Sequence, residues 1–277
     1  MSGAANTSND ELGGAVAGIR WHQTIELPGG IRTPGIFDNP RGLQHVPLPP
    51  SLKGKRCLDV GTADGFWAFE MERRGADEVV AVDVPERELL DWPAFVDEEE
   101  WEVVHDIGDH KGFFLAKEAL RSNVRLEELP VYDLRSEEVG EFDFAFVGSL
   151  LLHLRDPVLA LASVRRVLRG ELLSADTISP LLTALHPTQP IARLEGPGWP
   201  LWWILNLAGY RRLFPLAGFE VVQTGKPFLL KRGEGYRGTA RTRRPLYGRF
   251  QEAVTRLGLL HSWVRARPGV TMNGRPR

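Results

Sequence analysis

The chain has 277 residues, 43% of them hydrophobic and 25% charged, an ordinary composition for a globular protein and enough length for one large α/β domain with additions. A single cysteine, Cys57, excludes an internal disulfide, and the absence of any apolar run of membrane-spanning length excludes insertion in a bilayer as a helix. The net charge of −2 hides an imbalance, because residues 191–277 carry 16 Lys/Arg against 4 Asp/Glu, which points to an anionic partner for the C-terminal part of an otherwise acidic chain.

Residues 1–10 are small and polar, are expected to be disordered, and hold no apolar targeting segment, so a cytoplasmic protein is expected. Asn9 is placed to cap a short helix running to Gly18. Pro28-Gly29-Gly30 between apolar stretches marks a hairpin turn, and the proline-rich VPLPPSLKG leads out of this N-terminal extension (residues 1–50).

Residues 51–232 read as the main domain. Strands are expected near 56–61, 78–84, 124–129, 142–149 and 171–178, with helices near 64–75, 112–122 and 157–169 between them. Cys57, at the head of the first strand, is expected as a buried, inert thiol. Strands joined by helical crossovers make a parallel sheet covered on both faces, with ligands at the C-terminal strand ends. WWILNLAGYRRLFPLAGF is helical in spacing, and FEVVQTG and KPFLLKR look like two strands joined by a tight turn at Gly225-Lys226-Pro227, a hairpin that brings the sheet to seven strands.

Residues 233–277 form a basic C-terminal extension, with helical spacing at Leu246, Phe250, Val254 and Leu257. Its Arg237, Arg241, Arg243, Arg244 and Arg249 read first as a solvated face or an intramolecular clamp on the acidic body, and second as contacts to RNA phosphates.

Chemistry concentrates at the strand ends. In Asp59-Val60-Gly61-Thr62-Ala63-Asp64-Gly65 a strand turns into a helix, and the two glycines let backbone approach a ligand. No phosphate-cradling Gly-x-x-x-x-Gly-Lys-Ser/Thr occurs, Ala63 and Phe66 stand where a dinucleotide fold prefers glycine, and Asp59 would repel a pyrophosphate. A cationic ligand with an amino group suits Asp59 better. Asp83, followed by Val84, is placed to accept from ribose hydroxyls, Asp133 beside Tyr132 from an adenine amino group, and Gly148-Ser149 ends the fourth strand beside the ligand.

LDVGTADG, AVDV, VYDL, FDFAFVGSLLLHLRDP and AGFEVV, in this order over Arg56 to Arg232, resemble the motifs of the class I S-adenosylmethionine-dependent methyltransferases. The resemblance implies a Rossmann-like α/β fold with S-adenosylmethionine as cofactor. It puts Asp59, Gly61, Thr62, Ala63 and Gly65 around the methionine part, Asp83 and Val84 at the ribose, Tyr132 and Asp133 at the adenine, and Gly148 and Ser149 beside them. TADGFWAFEMERRGA, the insertion after Asp83 and GSLLLHLRDP are closest in texture to the branch holding tRNA wobble-uridine carboxymethyltransferases. Leu152 precedes His153 where that branch has Tyr, so ordinary S-adenosylmethionine is expected rather than a carboxylated form.

Methyl transfer needs an in-line nucleophile, a dry site and, for an alcohol, a base. His153 on the loop after the fourth strand is the first candidate base, and His22 beside Trp21 the second. Trp21, Trp199, Trp202, Trp203, Asn206 and Tyr210 are read as substrate contacts, most of them in a lid over residues 180–212, with core packing as the competing reading. His105-Asp106 with Asp109-His110 has the look of a metal site but precedes a helix that Asp109 would cap, so no metal is expected. The expected partner is a small-molecule acceptor methylated on oxygen before nitrogen. RNA is the rival, a homodimer stays open, and a catalytically silent cofactor-binding scaffold is the reading from another class.

Overall fold

Alternating apolar runs and helical crossovers produce the expected parallel sheet in the computed structural model, which describes residues 2–93, 109–195, 200–236 and 256–269. Helix α1 (Ser2–Ala17) and the short α2 (Asn39–Leu43) precede β1 (Arg56–Val60), α3 (Phe66–Arg73), β2 (Glu78–Asp83), α4 (Lys111–Leu120) and β3 (Arg125–Glu128). Then come α5 (Ser136–Val139), β4 (Phe142–Gly148), α6 (Pro157–Val167), β5 (Leu168–Thr177) and α7 (Pro180–Leu185). The small strands β6 (Ala192–Leu194) and β7 (Trp203–Leu205), then α8 (Leu207–Leu216), β8 (Phe219–Thr224), β9 (Phe228–Lys231) and β10 (Gly258–Pro268) complete the order.

The main sheet runs β3-β2-β1-β4-β5-β10-β8, with β9 also paired to β10. Strands β1 to β5 are parallel, and the order reverses between β1 and β4, which opens a crevice at their C-terminal ends. Side chains alternate across the sheet: Leu58, Val60, Val80 and Val82 pack into one core with α6 and α8, whereas Cys57, Val79, Ala81, Phe144 and Phe146 pack into the other with α3 and α4. Cys57 is fully buried, and burial pushes its thiol up to about 12, so it is inert at neutral pH.

Three expectations change. Helix α1 begins at Ser2, within the stretch expected to be disordered. The closing antiparallel pair has other partners than expected: β8 and β9 run in line, not back to back, and both pair with β10. Gly225 sits between them because any Cβ there would fall 2.3 Å from the Trp263 indole nitrogen, and Pro227 has no N–H to continue the ladder. The expected C-terminal helix fails over Gly258–Val264, where Ser262, Val264 and Ala266 alternate inward in a central strand between β5 and β8. Leu246, Phe250 and Val254, like Arg237, Arg241, Arg243, Arg244 and Arg249, lie outside the described residues, and Leu257 is exposed ahead of the strand.

The expected turn at Pro28–Gly30 is present, with Leu27 N–H donating to the Ile31 carbonyl at 2.8 Å. The segment then doubles back, so that Phe37 bonds the His22 carbonyl and residues 35–38 pair with the chain leaving β9.

Candidate functional site

At the strand-order reversal lies an open cleft with about 500 Å³ of empty space. Gly61 and Asp83-Val84 form one side, Leu89 to Trp92 and Leu129 to Tyr132 the second, and Leu150 and His153 the third. Leu89, Leu90, Trp92, Leu129 and Val131 make an apolar wall fit for a planar base.

Asp83 ends β2 with both carboxylate oxygens already engaged, Oδ2 accepting from Ala63 N–H at 2.8 Å and Oδ1 from Val84 N–H at 2.9 Å. Each oxygen keeps a second lone pair, so two hydroxyls can still donate to it. Burial raises the Asp83 carboxyl above its usual range, opposed by these two N–H groups. Val84 also passes its carbonyl to His110 Nε2 at 3.0 Å, which gives that buried histidine a structural partner.

The glycine turn is built for rigidity. Gly65 starts α3 at φ 93°, where a Cβ would collide with the Phe69 and Phe113 rings at 2.6 and 2.7 Å. Ala63 and Ser149, at the ends of β1 and β4, both hold left-handed backbone near φ 51°, a strain kept by their neighbours' bonds. Asp59 shares the Cys57 face of β1, is 1% exposed, and accepts from Thr62 Oγ1 at 2.7 Å. It therefore braces the loop, and it is not among the residues lining the cleft.

Two further expected positions are not among the residues lining the cleft. Asp133 is exposed and off the cleft, because the single helical turn Val131–Asp133 rotates its neighbour Tyr132 inward instead. The Tyr132 hydroxyl donates to Asp91 at 2.6 Å, and Asp91 also accepts from Arg155 N–H at 2.7 Å. Gly148 lies against the Phe146 ring, outside the cleft.

His153 sits on the turn Leu151–His153. Its Nδ1 donates to the Pro200 carbonyl at 2.7 Å, which leaves Nε2 as a bare acceptor on a residue lining the cleft. Burial lowers its pKa from the usual histidine value. The turn is pinned by Asp176, a buried acid at the end of β5 that accepts from Leu151 N–H at 2.8 Å. Sequence reasoning missed Asp176, although an acid closing the apolar run ELLSADTIS is a visible signal.

Burial above all, with the charge of His153 next, takes His22 down to about 4. It is delivered by an unforeseen anchor, in which Asp64 Oδ2 accepts from both His22 N–H and Gln23 N–H at 2.7 Å, while Gln23 Oε1 accepts from Phe66 N–H at 2.9 Å. Also unforeseen is His261 on β10, 2% exposed, with Nδ1 donating to the Leu259 carbonyl at 2.9 Å and Nε2 accepting from Ser149 Oγ at 3.0 Å or Thr177 Oγ1 at 3.2 Å.

The expected aromatic lid divides. Trp202 and Trp203 donate through their indole N–H groups to the carbonyls of Asp91 (2.7 Å) and Leu154 (3.1 Å), two residues that line the cleft. Trp21, Asn206 and Tyr210 are buried, with partners inside the fold. Trp21 donates to Val16, Tyr210 to Ser174 Oγ at 2.9 Å, and Asn206, fully buried, makes four bonds across the segment it caps. Trp199, His105 and Asp106 lie outside the described residues, Asp109 accepts from Lys111 N–H at 3.1 Å, and no cluster of metal-ligating side chains occurs among the described residues.

Replacing Asp83 by Asn is expected to weaken nucleoside binding about 10- to 100-fold, the value of one or two hydrogen bonds to a charged acceptor. Calorimetric titration with S-adenosylhomocysteine reads this directly, and unchanged affinity removes Asp83 from the ribose.

A family model described as a methyltransferase domain matches residues 40–224. A ubiquinone biosynthesis O-methyltransferase of Acinetobacter baumannii is 29% identical over 106 residues, 38% of this chain and 36% of that protein. A tRNA U34 carboxymethyltransferase of Pseudoalteromonas translucida is 28% identical over 187 residues, 66% of this chain and 49% of that protein. The chain thus spans between about a third and a half of the length of these curated relatives. Among solved structures, the [4+2]-cyclase SpnF superposes with a TM-score of 0.51 at 17% identity, covering 95% of this chain and 93% of that one, a likeness of fold alone.

Proposed function

The chain belongs to the methyltransferase-domain family, and on that premise we propose that it transfers a methyl group from S-adenosylmethionine to a small-molecule acceptor, on oxygen in preference to nitrogen. The observation that carries this reading is one cleft at the strand-order reversal whose walls bring together the Asp83 carboxylate and His153, with its bare Nε2. Asp83 would hold the ribose, the apolar wall around Leu129 and Val131 the base, and the Gly61 turn the amino-acid end.

When bound, the cofactor supplies a methyl carbon on a sulfonium. In such a transfer the acceptor oxygen would gain the methyl carbon as the C–S bond broke with its electron pair left on sulfur, and His153 Nε2 would take up the acceptor proton. His153 is suited to this because the Pro200 carbonyl fixes its tautomer and burial keeps it neutral. Trp202 and Trp203, tied across the rim, limit water at the reacting atoms.

The buried acids also favour a cationic cofactor. Asp59 and Asp64 are raised to about 7, by burial first and in part by the neighbouring Asp83. Between pH 6 and pH 8 these groups ionise, so the negative potential around the turn grows with pH. The preference for S-adenosylmethionine over S-adenosylhomocysteine, which lacks the sulfonium charge, is expected to rise by up to about tenfold over that interval. Titration of both compounds at the two pH values tests this, and a flat ratio counts against it.

The function itself is tested by incubating the protein with methyl-labelled cofactor and a low-mass metabolite extract, then identifying the labelled product by mass spectrometry. A second reading, an RNA-modifying enzyme, draws support from the breadth of the match to the tRNA carboxymethyltransferase. Labelled tRNA that binds with a steep salt dependence and accepts the methyl group would favour it.

A further inference from the structure

One wall of the cleft has no strand of its own. Beyond β2 the chain makes the single turn Arg87–Leu89 and sets Leu89, Leu90 and Trp92 against the cleft without entering the sheet. Asp91, in the middle of this stretch, lines the same cleft with a side chain only 14% exposed, so its polar bonds are largely shielded from water. Its Oδ2 accepts from the Tyr132 hydroxyl at 2.6 Å and from Arg155 N–H at 2.7 Å, and its Oδ1 pairs with the Arg155 guanidinium at 3.2 Å. Its carbonyl accepts from the Trp202 indole at 2.7 Å. The turn after β3, the loop after β4 and the segment before β7 therefore all meet at this residue.

Two arms run from Asp91. On the nucleoside side, Tyr132 follows Leu129 and Val131 in the apolar wall, and its hydroxyl also accepts from Asp156 N–H at 3.1 Å. Burial, and then the bond to Asp91, raise the Tyr132 hydroxyl above its usual range, so it remains a donor at any working pH. On the other side, Trp202 N–H donates to the Leu152 carbonyl at 3.0 Å, and Pro200, two residues earlier, accepts from His153 Nδ1. The Arg155 guanidinium lies 5.0 Å over the Trp202 ring and joins the arms, although its exposed ion pair contributes little. The strong members are the two bonds that Oδ2 accepts, both to a shielded carboxylate.

Resting on the methyl-transfer reading, we propose that Asp91 is a positioning residue that ties the nucleoside wall of the cleft to the turn carrying His153, and so sets both cofactor residence and the placement of the base. It acts through Tyr132 on one side and Trp202 on the other, and its own polar atoms are engaged by protein groups.

The test uses the full chain with S-adenosylhomocysteine as the nucleoside probe, read by its dissociation rate, and carbon-labelled histidine, whose His153 signal is identified by its loss in His153→Gln. Asp91→Asn is expected to speed dissociation about tenfold, the loss of one bond to a charged acceptor. It is also expected to move the His153 titration upward, toward the ordinary histidine value, because burial is the main cause of its depression and a loosened turn is less buried. Removal of a negative charge by itself would move that titration downward, so the direction separates repositioning from charge. His22, the titratable neighbour on the N-terminal segment, is present in every variant. Tyr132→Phe is expected to speed dissociation and leave the His153 titration as in the parent, and Trp202→Phe to do the reverse. If thermal melting shows Asp91→Asn unfolded, the two single-arm variants decide. An Asp91→Asn protein that changes only one readout or neither, or a single-arm variant that leaves its own readout unchanged, overturns the proposal. Failure of S-adenosylhomocysteine to bind the parent overturns the methyl-transfer reading beneath it and is seen separately.

Discussion

Replacing His153 by Gln is expected to lower kcat for methyl transfer by about 10²- to 10³-fold while S-adenosylhomocysteine affinity stays within about threefold, because a positioned base contributes on that scale. The imidazole lines the cleft from the turn after β4, a different wall from Asp83, so its loss is expected to spare nucleoside binding. Gln preserves the side chain's approximate size and can still donate to the Pro200 carbonyl, which isolates the lost Nε2 lone pair from any collapse of the turn. The pH profile gives an independent reading. Burial depresses the His153 pKa, so it stays neutral and competent below the usual histidine range, and the acid limb of the parent enzyme should fall below pH 6.5 and vanish in the variant. Steady-state kinetics with an identified acceptor decide the matter, and an unaltered kcat with an unaltered profile rejects His153 as the base.

Replacing Asp64 by Ala is expected to cost about 2–4 kcal/mol of stability, since two buried backbone N–H groups lose their acceptor together. Both bonds, from His22 and Gln23, are 2.7 Å long and end on the same oxygen. The carboxyl is raised to about 7 by burial, so near neutral pH it is partly protonated, yet in either form it presents an oxygen to these donors. Asp64→Asn should therefore spare most of the stability. Urea unfolding measures the loss, and hydrogen exchange at the His22 and Gln23 amides locates it. Because the same segment brings His22 and Phe37 against Arg232, the Ala variant should also lose transfer activity more than cofactor affinity. Equal stability of the Ala variant and the parent would show that the N-terminal segment does not depend on this anchor.

The part of the site that was legible in the sequence is local. Gly61, Asp83 and His153 each stand where a strand ends and the chain turns, and such signals need only a few neighbouring residues to be read. Asp59 and Asp133 show one limit, because a strand's two-residue alternation or one helical turn decides whether an acid lines the cleft or braces the scaffold, and residue type alone does not carry that phase. Trp21, Asn206 and Tyr210 show a second limit. A large aromatic or an amide looks the same in sequence whether it closes over a substrate or satisfies a core, and only their saturated bonds inside the fold tell the two apart.

By itself the sequence determined the parallel α/β order from β1 to β5 and the family to which the chain belongs. Tertiary structure alone decided that residues 258–268 enter the sheet as a central strand, that His22 and Gln23 dock on the glycine turn, and that Arg232 stands over Phe37 and His261 beside Ser149. The reason is range: strand–turn–helix signals are written in consecutive residues, whereas Ser149 and His261, 112 positions apart, meet only through the packing of the whole sheet.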